Sequence, residues 1–382
     1  MISPMPPSSI YLDHNATTPV APEVFEAMEP YLTRFFANPS SEHSLGREAR
    51  RAVEEARGQV AALIGASPDE IVFTSGGTES NHLAIRGAVS RNRRRVVTTA
   101  VEHPATTGAC AILEAQGFKI TRLPVTREGI VDPDTAAEAI GEDVALVTIM
   151  TAQNETGAIM PVSEIATAAR LRGALVHSDA AQAVGKIDVN VDQLSVDLMS
   201  IAGHKLYAAK GIGALYIRSG TSIEPLALGG GQERGVRPGT ENVAGIVGLG
   251  VAATLAGSRL ASDSESIRLL REQLWSGLVE RIPGLVRHTP SQSCLPNTLL
   301  LSFPGVLGKD VLARADGVLA STGSACHSGV DTPASTLLAM GVTSSVALGA
   351  VRLSLGRSNT HGQIAEATKI LSIAFDLVRQ KK

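Results

Sequence analysis

The stretch Ser200-Ile-Ala-Gly-His-Lys205 places a lysine directly after an apolar segment, residues 196–201, that we predict to be a strand. The glycine-rich Lys210-Gly-Ile-Gly213 follows it. Burial at a strand end lowers the pKa of a lysine, so that its free amine can form a Schiff base with a carbonyl. A lysine in a loop is more often a solvated charge. The residues expected near Lys205 therefore decide between a reactive amine and a solvated charge.

One such neighbour lies upstream, where Val176-His-Ser-Asp179 forms another apolar segment that ends in a carboxylate. A lysine that can form a Schiff base and an acid that can pair with a pyridinium nitrogen are the minimum protein groups for pyridoxal phosphate chemistry. Lys205 and Asp179 are therefore candidate cofactor-binding residues.

Apolar segments alternate with amphipathic ones through the first two thirds of the chain. Strands are predicted at residues 71–74, 96–99, 119–123, 145–149, 175–178, 196–201 and 213–217. Helices are predicted at residues 44–64, 78–91, 104–116 and 162–171. This alternation predicts an α/β fold whose mostly parallel, seven-stranded sheet is covered by helices on both faces.

The pattern changes in the last third. A long helix is predicted over residues 251–281, interrupted by the polar residues 262–266. After it come strands near residues 286–289, 298–303, 318–320 and 351–354, and a last helix over residues 361–380. We expect a large domain over residues 14–255 and a smaller α+β domain formed by residues 1–13 and 256–382.

Bulk composition narrows the function classes. The chain has 382 residues, of which 44% are hydrophobic and 19% charged, and its net charge of −3 gives no reason to expect nucleic acid or an anionic membrane. No signal peptide and no run of ~20 apolar residues is visible. The three cysteines, Cys110, Cys294 and Cys326, form no close pair, which points to a reducing, cytoplasmic setting. We interpret the basic run at residues 91–95 as the solvent-exposed end of a helix.

Several polar motifs follow predicted strands. Phe73-Thr-Ser-Gly-Gly77-Thr78 passes through two glycines into a helix, and the amides there suit a phosphate, although a capped helix after a tight turn explains them equally well. His103 and Asn154 also follow strands. Open α/β sheets bind ligands outside the carboxyl ends of their strands, so these residues are expected to meet Asp179 and Lys205 there.

Three motifs in the second half carry further chemistry. Ala320-Ser-Thr-Gly-Ser-Ala-Cys326-His-Ser-Gly329 surrounds a cysteine with small and polar residues, which favours a reachable thiol over a buried one. Arg352 lies in an apolar strand and needs an anion, either a substrate carboxylate or a structural ion pair. The glycine-rich residues 229–242 suit a ligand or subunit contact.

Taken in order, these motifs resemble the cysteine desulfurases of the NifS/IscS type, within the class V aminotransferase group of fold-type I pyridoxal phosphate enzymes. The likeness runs from Tyr11-Leu-Asp-His-Asn-Ala-Thr-Thr18 to Arg352-Leu-Ser-Leu-Gly-Arg357. It implies a homodimer that converts L-cysteine to L-alanine. The sulfur would pass to an enzyme cysteine as a persulfide and then to an acceptor, as in iron–sulfur cluster assembly.

The resemblance also implies roles for single residues. Lys205 would carry the cofactor as a Schiff base, His103 would stack on its ring, and Asp179 would keep the ring nitrogen protonated. Gln182 would bond the phenolic oxygen. The substrate carboxylate would be received by Asn154 and Arg352. The phosphate would be bound by Gly77, Thr78 and His204, with Thr240 supplied by the partner subunit. Cys326 matches the family nucleophile, on a long loop with Gly323 and Gly329.

One departure and several alternatives stay open. Many relatives carry a serine as a phosphate ligand where this chain has Ala202, so one hydroxyl is missing. A selenocysteine lyase shares the fold, the cofactor and the thiol. An aminotransferase or another lyase of this fold would leave Cys326 incidental. A non-catalytic sulfur scaffold or a metal protein is the remaining class, although no Cys-x-x-Cys or His-x-x-x-His spacing supports a metal.

Overall fold

The apolar segments form the strands of three sheets in a computed structural model that describes residues 9–89, 92–322 and 332–380. The strands are β1 (Ile10–Tyr11), β2 (Ile71–Thr74), β3 (Arg95–Thr99), β4 (Lys119–Leu123), β5 (Val144–Thr148), β6 (Leu175–Asp179), β7 (Leu198–Ala202), β8 (Gly213–Ile217), β9 (Val286–Arg287), β10 (Thr298–Ser302), β11 (Val318–Leu319) and β12 (Ala350–Ser354). All seven strands predicted for the first two thirds are confirmed, within two residues at each end.

The large sheet has seven strands in the order β2-β8-β7-β6-β5-β3-β4. β3 to β7 run parallel to their neighbours within that group, whereas β8 is antiparallel to both β2 and β7. Every residue of β2, β5 and β7 is buried, as expected for strands covered on both faces. The predicted mostly parallel, seven-stranded α/β sheet is therefore confirmed.

Helices cover the sheets and connect their strands. They are α1 (Pro22–Thr33), α2 (Ser44–Ile64), α3 (Gly77–Gly87), α4 (Pro104–Ala115), α5 (Pro133–Ala139), α6 (Val162–Leu171), α7 (Val243–Arg281), α8 (Gly308–Leu312), α9 (Ser335–Ala339), α10 (Ser344–Ala347) and α11 (His361–Arg379). Short 3₁₀ turns occupy Pro68–Glu70, Gly203–Lys205 and Gln232–Gly235. The smaller sheets pair β12 with β10 and β9, and β1 with β11.

The predicted solvated helix end at residues 91–95 is wrong, because α3 already ends at Gly87. The arginines of this run that the structure describes bind the carboxyl ends of three other helices instead. Arg93 donates to the carbonyl oxygen of Arg172 after α6 (2.9 Å), Arg94 to that of Gln116 after α4 (2.6 Å), and Arg95 to that of Ala139 in α5 (2.8 Å). Cations at helix carboxyl ends satisfy free carbonyls and suit the helix dipole.

The predicted break in the long helix is also wrong. α7 begins at Val243 and runs without interruption for 39 residues. The polar residues 262–266 are exposed or half-buried and continue the helix for more than one turn. Two of them have partners elsewhere in the chain, since Asp263 pairs with Arg357 and Ser264 donates to the carbonyl oxygen of Lys186. The polar stretch therefore marks a part of the helix outside the apolar clusters rather than a loop.

α7 joins two buried hydrophobic clusters. Its first half, with Ile246 and Leu249, belongs to the cluster that includes the large sheet. Its second half, with Leu274 and Leu278, belongs to the cluster of the small sheets and α11. By length and composition α7 is the one described helix that could cross a membrane, but half of its most apolar stretch is buried. It also packs against α1, α2 and α11, as core helices do.

A buried ion pair anchors the glycine-rich segment 229–242. Arg57 of α2 binds both carboxylate oxygens of Glu233 at 2.8 Å, and the backbone amide of Phe73 donates to the same carboxylate at 2.7 Å. Glu233 and Arg234 adopt left-handed backbone angles, with φ of 47° and 56°, which side chains with a Cβ rarely occupy. The buried pair holds this strained turn against β2, the strand that precedes α3.

We therefore expect Arg57→Ala to lower the free energy of unfolding by about 3 kcal/mol, because it leaves the Glu233 carboxylate buried without its cation. Urea denaturation of the purified protein measures this change. Arg51→Ala is the matched control, since Arg51 lies on the same helix and forms an ion pair with Glu48 while 73% of its side chain is exposed. An equal loss in both variants would contradict the anchoring role.

Candidate active site

A cavity of about 410 Å³ opens at the carboxyl ends of the parallel strands. Nine of the residues predicted to form the site line it: Gly77, Thr78, His103, Asn154, Asp179, Gln182, His204, Lys205 and Arg352. They come from segments spread along the chain from Gly77 to Arg352, and the sheet brings them to one edge. The volume lies within the range of roughly 300–1,000 Å³ typical of small-molecule sites.

Lys205 extends from the 3₁₀ turn that follows β7 into this cavity. Its Nζ donates to the carbonyl oxygens of Asn15 and, at 2.7 Å, Ala16. Burial, helped by the nearby Arg352 and opposed by Asp13 and Asp179, lowers the pKa of Lys205 to about 8. The amine is therefore partly neutral near neutral pH, as a nucleophilic lysine requires.

Asp179 ends β6, and only 6% of it is exposed. Asn81 of α3 donates from Nδ2 to one carboxylate oxygen at 2.6 Å, and the backbone amide of Ala181 donates to the other at 3.0 Å. Hydrogen bonds to both oxygens fix the plane of the carboxylate. The structure thus presents an oriented carboxylate to the cavity.

His103 occupies the N-cap position of α4, where its Nδ1 accepts from the backbone amide of Ala105 at 3.1 Å. This bond fixes the ring at the cavity. Burial lowers the pKa of His103, an effect that Asp179 opposes and Lys205 reinforces. The ring is therefore neutral at neutral pH, with Nδ1 as the acceptor.

The amino end of α3 forms the other side of the cavity. Gly76 has a φ of 145°, outside the range that other residues favour, and Gly77 opens the helix with Thr78 exposed beside it. A Cβ on Gly77 would lie 3.2 Å from the Cβ of Ala202, so the two small residues pack closely. Free helix amides here suit an anion. Ala202 therefore offers no hydroxyl at the amino end of α3.

His204 lies at the same end of the cavity, with Nδ1 3.2 Å from Oγ1 of Thr17. Burial lowers the pKa of His204 to about 4, and Lys205 and Lys210 add to this effect. The imidazole is therefore neutral, and it offers one hydrogen-bond donor or acceptor rather than a charge.

Gln182 follows Asp179 on the same turn and is also buried. Its Nε2 donates to the carbonyl oxygen of Asn15 at 2.9 Å, and its Oε1 accepts from the Nζ of Lys186. Both ends of the amide are therefore engaged, which fixes its orientation at the cavity wall.

Arg352 pairs with Asp13 at 2.8 Å through Nη2 and donates from Nη1 to the carbonyl oxygen of Asn154 at 3.1 Å. Ser321 donates to the other oxygen of Asp13 at 2.8 Å. The structural ion pair considered from the sequence is thus present. Among the described residues, the Nε of Arg352 has no hydrogen-bond partner although it is buried.

Two predicted site residues are not placed in this cavity. Thr240 is exposed and does not line it. Cys326, with Gly323 and Gly329, lies outside the described residues. Cys110 is buried in α4, and burial raises the pKa of its thiol to about 12, so it is a core residue of that helix rather than a reactive thiol. Within the described ranges, no group of three His, Cys, Asp or Glu side chains could hold a metal ion.

Asn15 and Asn81 were given no function from the sequence, although both contact the candidate residues directly. Asn15 lies within the quoted motif 11–18, and 1% of it is exposed. The signal that could have identified Asn15 is the polar run at residues 13–15, which begins two positions after the short strand β1. For Asn81, it is a polar side chain one helical turn after the Gly77-Thr78 helix start.

Comparisons with known proteins identify the family of this chain. The family described as Aminotransferase class-V matches residues 10–366. A relative named Cysteine desulfurase IscS, from Dictyoglomus turgidum, is 46% identical over 375 residues, covering 97% of this chain and 95% of that protein. A solved structure of a NifS-like protein has a TM-score of 0.91 at 37% identity, covering 97% of this chain and 100% of the other. A structure described as SspA in complex with cysteine has a TM-score of 0.82 at 34% identity, covering 92% and 99%.

The chain shares its mostly parallel sheet with these structures and has a lysine and a carboxylate at the carboxyl edge of that sheet, which defines an α/β enzyme of the fold-type I class. The predicted fold class is confirmed. Members of this class use pyridoxal phosphate as a cofactor. The chain belongs to the class-V aminotransferase family and, within it, to the cysteine desulfurases of the NifS/IscS type.

We expect the amine of Lys205 to be acylated in the cofactor-free protein with a pH midpoint near 8, because burial and Arg352 favour its neutral form. Limited reaction with an amine-directed reagent between pH 6 and 11, followed by peptide mass spectrometry, measures the midpoint. The Lys205→Arg variant identifies the peptide signal. A midpoint near 10.4, the ordinary value for a lysine, would contradict the inferred environment.

Proposed function

We propose that this protein is a pyridoxal phosphate-dependent cysteine desulfurase, which converts L-cysteine to L-alanine and transfers the sulfur through Cys326 to an acceptor. The observation that carries the proposal is the placement of Lys205 and Asp179 at one cavity. A lysine amine with a lowered pKa and an oriented carboxylate together meet the needs of this cofactor. The relatives named cysteine desulfurase supply the substrate class.

The cavity's residues fit each part of pyridoxal phosphate. The phosphate would occupy the amino end of α3, at Gly77 and Thr78, near His204. Lys205 would hold the aldehyde carbon, with His103 against the ring. Asp179 would bind the ring nitrogen, and Gln182 the phenolic oxygen. When bound, the cofactor supplies an electron sink that allows bonds to the substrate's α-carbon to break.

Asp179 serves this chemistry by holding a proton on the ring nitrogen. Its two oxygens already accept from Asn81 and Ala181, so the carboxylate does not need to reorient when the nitrogen approaches. Preorganised charge of this kind contributes more than a mobile side chain, because no reorganisation is required during the reaction.

Lys205 would also act as a general base and acid. Its released amine, with a pKa lowered to about 8, can take a proton from the substrate's α-carbon and return one later. The carbonyl oxygens of Asn15 and Ala16 receive its N–H groups and hold the amine at the cavity wall.

Arg352 and Asn154 are proposed to receive the substrate carboxylate. What supports this is the buried Nε of Arg352, which has no partner among the described residues, and its position at the cavity. Asp13 offsets the positive charge while the cavity is empty of substrate and keeps the guanidinium in place. The structural pair and the substrate contact are therefore compatible roles.

Cys326 is proposed as the nucleophile. Its thiolate attacks the sulfur of the substrate, the carbon–sulfur bond breaks, and its electrons remain with the carbon fragment. That fragment takes up a proton and leaves as alanine, while Cys326 keeps the sulfur as a persulfide. No external oxidant is needed, and covalent capture divides the transfer into two easier steps.

The active protein is proposed to be a homodimer, in which Thr240 of one subunit reaches the phosphate site of the other. Two features support the dimer. Thr240 is exposed on an anchored glycine-rich segment, and large apolar side chains are exposed elsewhere, with Phe36 71% and Leu228 91% accessible.

The division into a large domain, residues 14–255, and a small domain, residues 1–13 and 256–382, also remains a proposal. It is supported by the two separate hydrophobic clusters and by the change of cluster along α7. The cysteine-bearing segment would belong to the small domain.

We expect Cys326→Ser to keep the visible absorbance of the bound cofactor but to lose sulfide release from L-cysteine, because a hydroxyl cannot accept sulfur as a persulfide. Mass spectrometry after a cysteine pulse should find added sulfur on Cys326. Cys110→Ser is the matched control and should retain turnover. Persulfide on Cys110 or Cys294 would contradict the assignment.

The same assay separates the related activities. Alanine release from L-cysteine that survives Cys326→Ser would favour an aminotransferase or another lyase. Turnover confined to L-selenocysteine at matched concentrations would favour a selenocysteine lyase. Absence of visible absorbance after addition of pyridoxal phosphate would favour a non-catalytic scaffold.

We expect Asp179→Asn to bind the cofactor but to lower turnover by about a hundredfold or more, since an amide does not hold a proton on the ring nitrogen. Absorbance and alanine release are measured on the same samples. Asp197→Asn is the control, because Asp197 is a buried aspartate that does not line the cavity. Near-normal turnover of Asp179→Asn would show that this carboxylate is only structural.

A further inference from the structure

A second lysine, half-buried as a residue but with its amine enclosed, lies behind the cavity. Lys186 lines a neighbouring space of about 30 Å³ rather than the main cavity. Its Nζ donates to the side-chain oxygens of Asn15, at 3.1 Å, and Gln182. None of the described carboxylates forms an ion pair with it. An enclosed amine that bonds only two amides needs an explanation, because burial of a charge without a counter-ion is costly.

The chemistry of an amine accounts for this arrangement. Burial lowers the pKa of Lys186 well below its usual value, and Lys205 and Arg352 nearby act in the same direction. A neutral amine has two N–H donors, and two amide oxygens are placed to accept them. Lys186 therefore satisfies its hydrogen bonds as a neutral group and needs no carboxylate.

The contact to Gln182 determines which end of that amide faces the cavity. A side-chain amide can rotate by 180° and exchange its oxygen for its nitrogen. With Lys186 donating to Oε1 and the carbonyl oxygen of Asn15 accepting from Nε2, both partners require the same orientation. The second N–H of Nε2 is then left for a molecule in the cavity.

The contact to Asn15 fixes the backbone that holds Lys205. The Oδ1 of Asn15 accepts from Lys186 and from Nδ2 of Asn297, and its Nδ2 donates to Thr298 at 2.8 Å. Its carbonyl oxygen accepts from the Nζ of Lys205. The side chain of Lys186 thus contacts both Gln182 and Asn15. Gln182 lines the cavity itself, and Asn15 holds the amine of Lys205 there.

We propose that Lys186 is a positioning residue of the active site, which orients the Gln182 amide as a donor and holds the Asn15 carbonyl against Lys205. The catalytic consequence of this role rests on the proposed function, whereas the contacts of Lys186 do not depend on it. Lys186 touches neither substrate nor cofactor, and acts only through these two neighbours.

A double-mutant cycle tests the route through Gln182. Lys186→Met keeps the length of the side chain and removes its donors, and Gln182→Met removes the amide. We expect each variant to lower turnover about tenfold, the effect of one hydrogen bond, and to shift the pH midpoint of the cofactor's visible absorbance equally. The double variant should show no further change. Lys119→Met, on the exposed edge strand β4, is the control and should match the unaltered protein.

A second measurement does not involve the cofactor. In the cofactor-free protein, Lys186→Met should move the acylation midpoint of Lys205 to lower pH, because the Asn15 carbonyl is no longer held against its ammonium form. The other charged groups that face Lys205, namely Arg352, Asp13 and Asp179, are unchanged in this variant. This shift is expected even if the proposed reaction is wrong.

Multiplied losses in the double variant, or an unchanged Lys205 midpoint, would overturn the proposal. A Lys186→Met protein that does not fold, judged by circular dichroism, would also overturn it and make the lysine a structural residue. If the cofactor gives no visible absorbance with the unaltered protein while the Lys205 midpoint still shifts, the proposed function fails and the positioning role stands.

Discussion

The active site depends on a buried lysine amine that is bonded to backbone carbonyl oxygens, not to a carboxylate. Burial lowers the pKa of this amine, and no direct ion pair with a carboxylate offsets the effect of burial. The arrangement requires residues 15 and 16 to lie against the end of β7. They are kept there by bonds from Asn15 to Ser354 and Thr298, which belong to the small three-stranded sheet. The site therefore needs both hydrophobic clusters to be in place.

The sequence was sufficient to predict the sheet because its strands are short apolar segments bounded by glycine or polar residues. A strand buried on both faces has little freedom in composition, and β5 and β7 are buried throughout. The same rule predicted much of the site. Lys205, Asp179 and His103 each follow a strand, and parallel strands end at one edge. Local pattern and topology together were enough to bring these residues to one cavity.

Other features depend on contacts between distant parts of the chain, which no local pattern encodes. The ion pair of Arg352 required the position of Asp13, 339 residues away in sequence. The hydrogen bonds of Asn15 join it to five different segments, at residues 154, 182–186, 205, 297–298 and 354. The continuity of α7 was missed because the partners of its polar residues Asp263 and Ser264 lie elsewhere in the chain. The basic run near β3 was misread because its carbonyl partners lie on other helices. In each case the decisive interaction is tertiary.

The unbroken course of α7 ties the packing of the small sheets to one wall of the cavity. At 1.5 Å per residue, a 39-residue helix is about 58 Å long, so one element passes through both hydrophobic clusters. Near its midpoint, Ser264 donates to the carbonyl oxygen of Lys186 and Asp263 pairs with Arg357. The turn that follows Asp179 and the segment that follows β12 are therefore bonded to the same turn of one helix.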